Sequence, residues 1–127
     1  EERATLLAPF PQPLAVAALG NSGSTPPGGV EGEVIGFPSV EALQAAPAEQ
    51  VRGKIVYITT AMPRTMDGSG YGVFGAPRRQ GPTIASQKGA TALVIRSVGT
   101  DWHRNPHTGV MRFAEGVSPI PAGALSN

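Results

Sequence analysis

With 127 residues, the chain has room for one domain with a single modest core, and no stretch of it approaches the ~20 apolar residues of a membrane-spanning helix. Ten lysines and arginines stand against nine acids, so the net charge of +1 lacks the one-sided basic excess that nucleic-acid partners or an anionic membrane surface draw on. The absence of cysteine excludes disulfide staples and thiolate metal sites and suits cytoplasm or periplasm equally, while 17 glycines and 13 prolines favour short strands and shaped loops over a helical bundle.

In chain order, the apolar run Leu14 to Leu19 follows three prolines and reads as a strand. Asn21 to Gly29 is a turn-rich loop. Val30 to Phe37 is a second strand closed by Pro38, after which Ser39 caps a helix through Val40, Leu43 and Gln44 until Pro47 interrupts it. Ile55 to Thr59, entered past Gly53, is the clearest strand because it is β-branched and aromatic throughout. A long Gly-, Pro- and Arg-bearing loop then spans Ala61 to Arg79. Gly81-Pro82 is expected to start a helix ended by Gly89 as a left-handed cap, and Ala92 to Arg96 follows as a buried strand. This order predicts a crossover that places Lys54 to Thr59 parallel to Ala92 to Arg96, with the helix packed across both. Gly99 to Pro119 is a second long loop, and Ile120 to Ala124 begins a final strand. Without an initiating Met or signal segment, and with no clear closing element at Ser126-Asn127, the chain reads as a piece of something longer.

Gly70-Tyr-Gly72-Val-Phe-Gly75 matches the dinucleotide fingerprint, yet no strand runs directly into it and Ile95-Arg96 occupies the place where an acid would hold a ribose. A nucleotide-binding module on this loop stays open as an alternative. Asp101, His103 and His107 invite a metal reading, but Asn105-Pro106 prevents a helix from bringing both histidines to one face, so no metal site is assigned. Gly20-Asn-Ser22-Gly-Ser24 lacks the nucleophile-elbow spacing, and no catalytic residue is assigned either. Arg64, Arg78, Arg79, Arg96 and Arg104 sit in or beside the two long loops, where guanidinium forks suit a peptide C-terminus, an acidic side chain or an acidic partner surface.

Gly53-Lys-Ile-Val-Tyr-Ile, Gly81 to Lys88 and Gly89-Ala-Thr-Ala-Leu-Val-Ile-Arg-Ser97 resemble the core of protease-associated domains. Leu19-Gly-Asn-Ser-Gly-Ser, Ile95-Arg-Ser-Val, Pro106-His-Thr-Gly109 and Ile120-Pro are similar, more narrowly, to the insert of secreted zinc exopeptidases of the plasma glutamate carboxypeptidase and bacterial aminopeptidase type. The resemblance covers about Leu7 to the C-terminus. It implies an α+β fold, a swivelling β/β/α domain that is mostly β with two short helices and long loops, continuing in that family into a further helix and strand. It also implies a single non-catalytic domain with no cofactor of its own, which governs substrate access and positioning. The two zinc ions and general base belong to a peptidase domain of the same parent chain. Expected partners are that domain and short peptide substrates, in a secreted or periplasmic setting. Arg64, Arg96, Ser97, His107, Thr108 and Gly109 are the candidate contacts to substrate or peptidase domain, with Pro106 to Gly109 expected as a tight turn made possible by a positive φ at Gly109. A purely structural spacer or dimer contact is a further alternative.

Overall fold

The computed structural model describes residues 1–127. Ala4–Leu6 (β1) and Gln12–Leu14 (β2) pair antiparallel as a separate ribbon, and Val16–Ala18 (β3) continues from it. Val34–Phe37 (β4) leads into Val40–Ala45 (α1), whose cap is the expected one: Ser39 Oγ accepts from the Ala42 N–H at 3.1 Å, a contact worth about 1 kcal/mol. A single turn, Ala48–Val51 (α2), precedes Ile55–Ile58 (β5). Tyr71–Phe74 (α3) and Ala76–Gln87 (α4) then lead to Ala92–Arg96 (β6), and the chain closes with Ala122–Leu125 (β7).

The main sheet has the order β3-β7-β6-β5-β4, with only edge strand β3 antiparallel. The predicted parallel pair is present, in a register that sets Ile55 beside Ala92 and Ile58 beside Ile95. Side chains alternate along a strand, so this register collects Val56, Ile58, Leu93 and Ile95 on one face, each fully buried. Burial of each contributes roughly 1.5–3 kcal/mol. The helix α4 lies across β5 and β6 on that face and packs against α1. Its approach is close at Gly81, where a Cβ would stand 2.9 Å from Ile58 Cδ1 and 3.3 Å from Leu93 Cδ1. The opposite face carries Ile55, Tyr57, Val94 and Arg96, which are only half-buried.

The α+β class stands, and the two expected helices correspond to α1 and α4. Two one-turn helices, α2 and α3, join them, so helix and strand contribute alike to the chain. Several boundaries differ: the strand expected over Leu14 to Leu19 is broken at Ala15 and spans only Val16–Ala18 beyond it, that expected over Val30 to Phe37 begins at Val34, and the last strand begins at Ala122 rather than Ile120. The helix expected to begin at Pro82 begins at Ala76, with Pro77 in its first turn and Pro82 inside it. Pro77 gives up only an N–H that has no helical partner, whereas Pro82 removes an interior bond at a cost of about 3 kcal/mol. The helix continues because Gly81, Pro82, Ile84 and Ala85 are all buried. At its far end Gly89 takes φ 81°, the left-handed conformation expected of the cap.

Candidate functional site

Strand β6 ends at Arg96, and the backbone that follows builds the polar edge of the domain. Ser97 is buried, and its Oγ donates to the Leu125 carbonyl at 2.5 Å while accepting the His107 N–H at 2.8 Å. One hydroxyl therefore fastens the long 97–121 connection to the end of β7. Thr108 Oγ1 donates to the Ala18 carbonyl at 2.6 Å, and the Gly109 carbonyl accepts the Gly20 N–H at 2.9 Å. Gly20 and Val110 form a parallel bridge.

These bonds explain a correction. Pro106 to Gly109 is not a tight turn: the segment runs alongside the end of β3 and spends its backbone groups on neighbours distant in sequence. Gly109 is absent from the positive-φ glycines; it is small because Arg78 lies against it, with the guanidinium Cζ 2.8 Å from where a Cβ would stand. Nearby, Asn21 takes φ 68° and its Nδ2 donates to the Met111 carbonyl at 2.9 Å. The Gly23 N–H reaches the Ile120 carbonyl at 3.0 Å, and a Cβ on Gly23 would meet the Ile120 backbone at 2.8 Å. The Leu19 to Ser24, Pro106 to Gly109 and Ile120-Pro121 motifs, dispersed along the sequence, thus meet in one place.

His107 is exposed. Its Nε2 lies 2.7 Å from Tyr71 Oη, and Arg78 Nη1 donates to the same phenol oxygen at 3.0 Å. The Tyr71 and His107 rings meet edge to face at 5.7 Å, and the Arg78 guanidinium sits 5.7 Å over the Tyr71 ring. Arginine only donates, so Tyr71 accepts from it and has its single proton free for Nε2. That assignment makes Nε2 the acceptor and leaves the other ring nitrogen, Nδ1, without a partner in this bond. The Arg78 Nε is buried with no partner. Sequence reading named Arg78 only as one of five loop arginines and missed Tyr71, because residues 71, 78 and 107 come from α3, α4 and the last long loop.

Arg96 occupies the same end of β6 but points to other company. Its Nε donates to Asn127 Oδ1 at 3.1 Å and its guanidinium lies 5.4 Å over Trp102, which is itself 83% exposed. Arg64 is exposed on the 61–70 loop. Of the six named candidates, Arg64, His107 and Thr108 are exposed and Arg96 is half-buried. Ser97, Thr108 and Gly109 hold the loop that carries His107. A cleft of about 220 Å³ opens beside His107 and is lined by Ser97, Asp101, His103, Asn105 and Asn127. Within it His103 Nε2 and Asp101 Oδ2 are 3.8 Å apart.

The glycine fingerprint does not form a phosphate cradle. Gly70 and Gly75 both have right-handed helical φ and ψ and flank the single turn α3, in place of a strand-to-helix turn. No three His, Cys, Asp or Glu side chains are grouped to hold one metal ion.

No family model matches the chain. It is 36% identical over 126 residues to carboxypeptidase Q of Mus musculus and 36% identical over 131 residues to that of Homo sapiens, covering 99% of this chain each time. Among solved structures, the crystal structure of a peptidase M28 precursor from Shewanella amazonensis matches with a TM-score of 0.94 and 46% identity over 98% of this chain. The chain spans 25% of the two carboxypeptidases and 28% of the M28 precursor.

Proposed function

From the premise that this chain is homologous to one quarter of carboxypeptidase Q and to part of an M28 peptidase, the resemblance read from its motifs being upheld, we propose that it is the protease-associated insert of a secreted or periplasmic two-zinc exopeptidase. In this reading it roofs the peptidase cleft, restricts entry to short peptides and positions them. The observation that supports it best is the polar edge beyond β6, where a buried Ser97 and a braced Tyr71–Arg78 pair hold an exposed His107 in one orientation. Preorganised donors on a rigid sheet suit orientation of a peptide carbonyl or carboxylate. His107, Arg96 and Arg64 are the proposed contacts, while Ser97, Thr108 and Gly109 maintain their placement.

Zinc would supply the hydrolytic chemistry from the remaining polypeptide. The residues of this chain do not fit such a centre, since His107 Nε2 faces Tyr71 and no trio of ligands converges. In the full-length enzyme, His107→Ala and Arg96→Ala should raise KM or change peptide preference while leaving kcat and zinc content nearly intact, the pattern of lost binding. Unchanged kinetics with a lowered melting temperature would assign the edge a structural role alone and favour the spacer reading.

A further inference from the structure

The ribbon β1–β2 stands apart from the core. Of its strand residues only Ala4 is even half-buried, and none of its side chains joins the buried core cluster. It is nevertheless apolar where it is exposed: Leu6 and Leu14 are 37% exposed, Leu7 53% and Phe10 73%. A two-stranded ribbon with no partner face is marginal in water, and four large apolar side chains on one short hairpin are more than an isolated solvated arm requires.

The ribbon runs directly into the edge of the main sheet. Leu14 ends β2 and, after Ala15, the chain enters edge strand β3, which pairs antiparallel with β7. The Ser126 N–H donates to the Ala15 carbonyl at 3.0 Å, and Ala4 lies opposite Leu14 in the ribbon. The two ends of the segment are therefore side by side, at the foot of the ribbon. In the relatives this segment makes up a quarter of the polypeptide, so on the insert reading three quarters of it lie outside residues 1–127 and can cover the ribbon.

We propose that the β1–β2 ribbon is the docking surface for the remainder of the same polypeptide, with Leu6, Leu7, Phe10 and Leu14 seated against an apolar face of the peptidase portion. The ribbon then fixes how the polar edge is carried over the cleft. The inference rests on the insert reading but not on substrate contact at His107. Its surface is neutral and apolar, the composition of a lasting intramolecular interface rather than of a transient charged one.

The test uses the full-length protein with the photo-crosslinking residue p-benzoylphenylalanine at position 10, irradiated without substrate and mapped by mass spectrometry. Crosslinks to residues of the same polypeptide outside this segment are expected. Crosslinks to a second copy, or only within the segment, overturn the proposal. Independently, Leu7→Ser combined with Phe10→Ser should raise the rate of proteolytic cleavage within residues 1–14 by roughly tenfold or more, because the ribbon loses its cover. An unchanged rate overturns it. Both readouts are separate from the kinetics of His107 variants, so the docking surface and the substrate edge fail or stand by different results.

Discussion

At the scale of single residues, Tyr71 stands between Arg78 and His107 and shares its phenol oxygen with both. Tyr71→Phe removes the shared oxygen while keeping the ring that packs edge to face on His107. A neutral hydrogen bond contributes about 0.5–1.5 kcal/mol, so KM of the full-length enzyme should rise roughly 2- to 10-fold with kcat little changed. Steady-state kinetics on a short peptide series measures this, and an unaltered KM would show that His107 needs no bracing. Gly109→Ala acts on the same group from behind, since the new Cβ displaces the Arg78 guanidinium. It should reproduce the Tyr71→Phe defect. A separate residue-scale expectation concerns Asp67, whose carboxyl is held below its ordinary value of 3.8, first by the Ser69 backbone N–H and then by the Ser69 side chain. A depressed carboxylate pKa favours the turn above the ordinary value, and that contribution is lost as pH falls through the lower one. The Ser69 amide resonance should therefore titrate with a midpoint below 3.8. A midpoint at or above it contradicts the bond.

Among the elements, those with a local cause were legible. Ser39 announced α1 through its capping position, and Gly89 announced the end of α4 because only a residue tolerant of positive φ closes a helix that way. The β-branched run Ile55 to Thr59 and the apolar Ala92 to Arg96 specified two buried strands, and the crossover between them set their parallel pairing. The start of α4 was not legible, because Pro82 carries the same local signal at a first turn as in an interior where burial compensates for it. Gly81 tests how tightly that burial is built. Gly81→Leu forces a side chain into the space held by Ile58 and Leu93 and should destabilise the chain by about 1–3 kcal/mol in chemical denaturation, whereas a neutral effect would mean that α4 stands off the sheet. Ile95→Ala, a cavity on the same face, should cost about 2–5 kcal/mol.

For the molecule as a whole, the sequence motifs signalled kinship before they signalled geometry. Leu19 to Ser24, Pro106 to Gly109 and Ile120-Pro121 carried the exopeptidase resemblance as separate strings, and only the fold showed that they interlock through Gly20, Asn21 and Gly23. The Tyr71–Arg78–His107 group was unreadable for the same reason: residues 36 positions apart meet only when α3 and the last loop are brought together by the sheet. The β1–β2 ribbon gave no signal either, since three prolines and scattered leucines fit a loop as well as a hairpin. On the proposed reading, the edge around His107 touches peptide bound to the full-length protein. Hydrogen–deuterium exchange of the full-length protein, with and without a saturating non-hydrolysable peptide inhibitor, tests it most directly. Slower exchange across residues 97–110 is expected on binding. Protection confined to the polypeptide outside this segment, with 97–110 unchanged, would contradict it.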